Sequence, residues 1–213
     1  MNTKNSTILI FIIIFVSFIA GIYLYPMMPD KVASHWNTAG EVNGYMSKFW
    51  GLFLLPIVTF GMAGLFWFLP KIDPINKNFD SFRESYNTII ISIILFLTYV
   101  HGLTVVWNLG VPFDLTRFIL PSLGVFFIIL GSSLTNIKRN WFVGFRTPWT
   151  LSSDSVWEKT HRLGARLFEA AGVLVVLSIL VPKYAFLVLA VTILGSTMLI
   201  VIYSYILYKK EQN

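Results

Sequence analysis

In this 213-residue chain the side chains able to do chemistry are few and widely spaced. His35 lies near Asp30 and Glu41, but no second histidine stands at ligand spacing from it, so no metal site is expected. His101 and Glu169 fall inside long apolar stretches, where an ionisable group is expensive and often functional. Thr98 and Thr104 flank His101 one turn away on either side, and a neutral His101 bonded to a neighbouring helix is the competing reading. The sequence has no cysteine, which excludes disulfides, thiolate zinc sites and cysteine nucleophiles. It also lacks the His-Glu-x-x-His zinc pattern and the Gly-x-Ser-Gly and Gly-x-Gly-Asp patterns of intramembrane proteases. Neither enzymatic activity nor a cofactor is expected.

Arginine supplies a different kind of chemistry. Arg146 stands among Trp141, Phe142, Phe145 and Trp149, a spacing that lets a guanidinium lie against ring faces. Gly144 and Pro148 interrupt any regular helix over 141–151, and Pro148 biases Thr147 towards an extended backbone. From Ser155 the pattern Ser155-Val156-Trp157-Glu158 reads as a capping box. Val156, Trp157, Thr160, Leu163, Gly164 and Leu167 then recur at helical spacing, with Glu158 and Arg162 forming an i,i+4 pair. The spacing predicts an amphipathic helix in the membrane interface that continues into the apolar stretch beyond it.

The elements that position these groups follow from composition. The chain is 56% hydrophobic and 12% charged, with mean hydropathy +0.72, against roughly 25% charged residues in soluble domains. A spanning helix needs about 20 mostly apolar residues. Six such spans are expected, at 8–25, 50–69, 88–109, 118–135, 163–181 and 184–207. The first is too long for a signal-peptide core and no clear small-x-small cleavage site follows it, so it is read as retained. Pro182 and Lys183 leave almost no loop, which makes the last two spans an antiparallel hairpin. Small faces at Ser17/Gly21 and Gly124/Gly131 suit close helix packing.

Lysine and arginine counts set the orientation. The side holding both termini carries 12 of them, the other side 4. Both termini are therefore expected in the cytoplasm. The same asymmetry accounts for the net charge of +6, so no direct nucleic-acid binding is expected. The fold class expected is an all-α polytopic six-helix bundle forming one membrane domain, 1–213. Its parts are a two-helix unit (1–70) with an outer segment (26–49), a middle helix pair (88–135), a cytoplasmic segment (136–162) and a C-terminal helical hairpin (163–208).

The outer segment ends the first helix at Pro26 and Pro29 and places turn residues at Gly40, Asn43 and Gly44. Trp36, Tyr45, Phe49 and Trp50 suit the membrane–water boundary. Two readings stand side by side: a folded loop presenting His35, Trp36 and Asn37 to an external ligand, or an interfacial connector held by its aromatics.

At these two segments the chain resembles the SdpI family of bacterial membrane proteins. The outer match comprises Pro29, Val32, His35-Trp36-Asn37, Gly40, Gly44-Tyr45 and Lys48. The inner match comprises Asn140, Gly144, Arg146-Thr147-Pro148-Trp149-Thr150-Leu151, Val156-Trp157 and Arg162. The resemblance implies an immunity protein against a secreted, membrane-active peptide toxin. It also implies signalling, in which a helix-turn-helix autorepressor is held at the membrane once toxin is sensed. On that basis His35, Trp36, Asn37 and Tyr45 are the candidate toxin contacts. Asn140, Arg146, Thr147, Pro148, Trp149, Trp157 and Arg162 are the candidate repressor surface. The rival readings are a small transporter or channel using His101 and Glu169, and a scaffold recruiting a cytoplasmic partner.

Overall fold

The computed structural model describes residues 2–37, 40–111 and 113–212. Among these, six helices are long and apolar enough to cross a membrane. They are α1 (Thr3–Leu24), α2 (Lys48–Ile72), α3 (Arg83–Asn108), α4 (Leu115–Leu134), α6 (Asp154–Leu177) and α7 (Ala185–Gln212), with a short α5 (Pro148–Ser152) on the connection before α6. The all-α bundle expected from hydropathy is present, and six crossings bring both termini to one face, here called the terminal face. One element was not expected. The segment after α1 folds into an antiparallel hairpin of β1 (Lys31–Trp36) and β2 (Val42–Ser47), which lies on the opposite, hairpin face.

Glycines let α4 and α6 approach closely, and small faces are what drives such contacts inside a bilayer. A Cβ at Gly124 would sit 2.6 Å from the Gly172 carbonyl oxygen, and one at Gly131 would sit 2.7 Å from that of Ala165. The Pro182 turn folds α7 back beside α6 as expected, through two short 3-10 turns at Ser178–Leu180 and Pro182–Tyr184.

Proline also shapes α2. Pro70 lacks an N–H, so the Phe66 carbonyl four residues earlier loses its helical donor. Tyr86 of α3 supplies a substitute, its hydroxyl donating to Phe66 at 2.6 Å. The main core lies on this side of the bundle, where Ile10, Ile14, Phe79, Phe82, Ile94, Ile137 and Trp157 are buried together. A smaller cluster of Met28, Val32, Leu52 and Val105 lies under the hairpin.

Candidate functional site

Two polar assemblies stand at opposite faces. On the hairpin face, β1 is fastened to the end of α3 by one side chain. Asn108 Oδ1 accepts from the Ala33 N–H at 2.7 Å, and Asn108 Nδ2 donates to the Ala33 carbonyl at 3.0 Å, so the amide acts as a neighbouring strand. Val32 is fully buried, and Gly51 leaves room for it: a Cβ there would meet Val32 Cγ2 at 2.1 Å. The other end of the hairpin is closed by Lys48, which pairs with Asp30 at 2.9 Å.

The expected turn at Gly40, Asn43 and Gly44 is corrected in part. Asn43 and Gly44 belong to β2, and the turn is organised by Asn37, whose side chain accepts from the Glu41 N–H and donates to the Glu41 carboxylate. The register shifts around His35, so that Ala33 faces Tyr45 while His35 faces Gly44. A Cβ at Gly44 would approach that of His35 to 2.9 Å, which is why this position suits glycine.

Of the four candidate toxin contacts, His35 and Tyr45 are exposed, and Asn37 is committed to the turn. Trp36 is half-buried, packed edge-on against Trp107 at 5.5 Å. Its indole N–H is shielded from solvent with no partner among the described residues. Trp36 and His35 line a cavity of about 290 Å³ whose far walls are Thr104 of α3, Ile119 of α4 and Phe186 of α7. A second hollow of about 160 Å³ shares Thr116, Leu120 and Phe186 with it and reaches Asp114 and Arg117, which pair at 3.0 Å. Together they form one crevice under the hairpin, apolar within and polar at the rim.

On the terminal face the arginine segment is held by three buried side chains, Asn140, His161 and Trp157. Asn140 uses its whole hydrogen-bonding capacity within the turn. It donates to the Lys138 and Val143 carbonyls and accepts from the Phe142 and Val143 N–H groups. His161 Nε2 accepts from the Phe145 N–H at 3.0 Å, so the proton is on Nδ1, which donates to the Trp157 carbonyl at 2.9 Å. The imidazole stacks on Trp157 at 4.0 Å between centroids. Trp157 in turn donates from Nε1 to the Ile137 carbonyl at 2.7 Å. Gly144 adopts φ +109° directly against His161, where a Cβ would lie 2.3 Å from Nε2.

Thr147 and Thr150 form a reciprocal capping box, and Pro148 opens α5 at the position where its missing N–H costs nothing. Thr147 also reaches Ser204 of α7 at 3.2 Å, and Trp149 packs against Tyr205 at 5.1 Å. Asp73, at the end of α2, accepts from the Trp141 N–H at 2.8 Å, and Asn78 donates to the Arg139 carbonyl at 2.8 Å. The segment is thereby tied to α2, to the turn before α3, and to α6 and α7.

Several expectations are corrected here. The helix cap is Ser153 rather than Ser155, its hydroxyl accepting from the Val156 N–H. Glu158 pairs with Lys138 at 2.8 Å across the turn. Arg146 does not lie against a ring; its Nη1 donates to the Trp141 carbonyl at 2.7 Å. The candidate repressor surface divides. Arg146, Pro148 and Arg162 are exposed, Thr147 and Trp149 are half-buried against α7, and Asn140 and Trp157 are interior. The last two support the surface from below and cannot be contacted. His161, missing from the expected set, is the residue that holds Phe145 and hence Arg146 in place.

His101 is buried two turns from the hairpin end of α3 and makes no hydrogen bond among the described residues. Glu169 is half-buried beside Gly131, one turn from the terminal end of α4. The two lie at different depths and do not form one site. No group of three or more histidines and carboxylates suited to a metal occurs among the described residues.

The two assemblies coincide with two family matches. A domain of unknown function (DUF1648) matches residues 12–60, and the SdpI/YfhL protein family matches residues 136–207. The immunity protein SdpI of Bacillus subtilis (strain 168) is 29% identical over 208 residues, covering 97% of each chain. No solved structure matches. With six apolar helices and these matches at both polar caps, the chain is a multi-pass protein of the cell membrane, similar over nearly its whole length to an SdpI immunity protein and matching the SdpI/YfhL family over residues 136–207.

Proposed function

We propose that the protein protects its own cell from a secreted, membrane-active peptide, and that it binds this peptide in the crevice beneath the β-hairpin. The observation that carries the reading is the Trp36 indole N–H, a shielded donor without a partner among the described residues, on the wall of a mainly apolar cavity. An unmade hydrogen bond of this kind costs about 1–3 kcal/mol, which a bound peptide carbonyl would recover. Apolar side chains of the peptide would meet Ile119, Leu120 and Phe186. The name of the Bacillus subtilis relative supports the immunity role.

The terminal face, with most of the basic residues, is cytoplasmic in this reading. Its exposed Arg146 and Arg162 meet an autorepressor. Ligand binding biases the bundle only through different affinity for two arrangements, and α3, running from Asn108 to Arg83, links the two faces.

The test is survival of a sensitive host expressing the protein, across a titration of conditioned medium from a toxin-producing strain. Trp36→Phe, which keeps a ring against Trp107 and removes the N–H, should lower resistance at unchanged protein levels. Wild-type survival of that variant would remove the crevice from the mechanism. Arg146→Ala should keep resistance and lose induction of an immunity-operon reporter, and normal induction would refute the assignment of that surface.

A further inference from the structure

On the terminal face, away from the arginine segment, a cavity of about 370 Å³ opens between the first turns of α1, the last turns of α2 and the first turns of α3. Its chemistry is graded along the membrane normal. At the helix ends it is lined by Arg83, with Thr3 and Asn87 beside it; deeper, the walls are Phe11 and the glycine face of Gly64. Residues 3 to 11 of α1 descend roughly 12 Å at 1.5 Å per residue, so the apolar end lies within the hydrocarbon.

Charge is matched to an anion at the mouth. Arg83 meets Asp80 only at 3.3 Å, and that carboxylate is 87% exposed, which leaves most of the guanidinium donors for another acceptor. Lys71 does not line the cavity itself, but its ammonium lies 3.2 Å from the ring centroid of the wall residue Trp67, which puts a second cation beside the cavity. The positive ends of two helix dipoles, those of α1 and α3, add to this field. A cation pair at headgroup level above an apolar slot fits an anionic phospholipid, with phosphate at Arg83 and Lys71 and one acyl chain beside Phe11 and Gly64.

We propose that this cavity is a binding site for an anionic phospholipid of the leaflet on the terminal face. The experiment is native mass spectrometry of the purified full-length protein in detergent, with phosphatidylglycerol or phosphatidylcholine of identical acyl chains. Wild type should retain phosphatidylglycerol about tenfold more than phosphatidylcholine, the effect of one charge-assisted contact. Arg83→Ala combined with Lys71→Ala should reduce retention to the phosphatidylcholine level. Gly64→Leu tests the slot separately: Gly64 lines the cavity and nothing lies within 4 Å of a Cβ there, so bulk added at this position takes up cavity space. That variant should elute as wild type and lose the bound lipid. Equal retention of the two lipids by wild type overturns the proposal, as does full retention of phosphatidylglycerol by a well-folded Gly64→Leu protein.

Discussion

Asn108→Leu removes the clasp between α3 and the β-hairpin while keeping the size of the side chain. Two hydrogen bonds to Ala33 are lost, at 2.7 and 3.0 Å, together with one to the Thr104 carbonyl at 2.9 Å. Each net contribution is about 0.5–1.5 kcal/mol. The Thr104 contact lies within α3, so the hairpin itself is loosened by about 2 kcal/mol from the two Ala33 bonds. A free-energy change of 1.4 kcal/mol is a factor of ten, so local opening of β1 becomes roughly 30-fold more frequent. Hydrogen exchange measured on peptides covering 29–37 reads this directly, because protection there reflects local opening rather than unfolding of the bundle. Asn108→Asp keeps the acceptor for the Ala33 N–H and loses the donor, and should show about a fivefold effect. Unchanged protection of β1 in Asn108→Leu would refute the clasp.

Other positions give independent tests. Tyr86→Phe strips the Phe66 carbonyl of its substitute donor and should cost about 1–2 kcal/mol, seen as a lower thermal midpoint by fluorescence-detected size exclusion. Gly144→Ala forces a side chain into a left-handed conformation against His161 and should destabilise by about 2–4 kcal/mol, while Gly61→Ala, which meets open space, should cost far less in the same assay. The Arg139–Asp154 pair is 2.7 Å long with Asp154 mostly exposed, and a double-mutant cycle should give a coupling below about 1 kcal/mol. Gly172→Val would drive its side chain into the Gly124 carbonyl at 2.5 Å, and the prediction is loss of the monodisperse folded fraction on size exclusion.

Hydropathy located the spans because burial in lipid requires long apolar runs, yet every spanning helix reaches beyond its apolar run at one end or both. The expected span 163–181 belongs to a helix that starts at Asp154, and 184–207 to one that ends at Gln212. Polar residues add turns that a hydrophobic window cannot see. The β-hairpin was hidden for a different reason. Its register shift beside His35 breaks the two-residue alternation that marks a strand. The cap of α6 was misplaced by two residues because Ser153 and Ser155 both precede the apolar periodicity, and only the backbone geometry distinguishes them. Asn108 and His161 left no signal at all. Their partners lie 75 and 16 residues away, and an amide or imidazole means nothing until the fold supplies the backbone group it meets. Recognisable motifs did mark both assemblies, although two of the motif residues, Asn140 and Trp157, are foundations of the surface rather than part of it.

The two caps of the molecule differ in compliance. Apart from the chain itself, its buried valine and the ring contact of Trp36 with Trp107, the β-hairpin hangs on a single amide, whereas the arginine segment is stitched to four neighbours through Asp73, Asn78, His161 and Ser204. One end can tilt like a hinged flap; the other must travel as a block with whichever rods carry it. Evolution of new ligand tastes would therefore be cheap at the flap, and rewiring of the block would demand several coordinated substitutions at once.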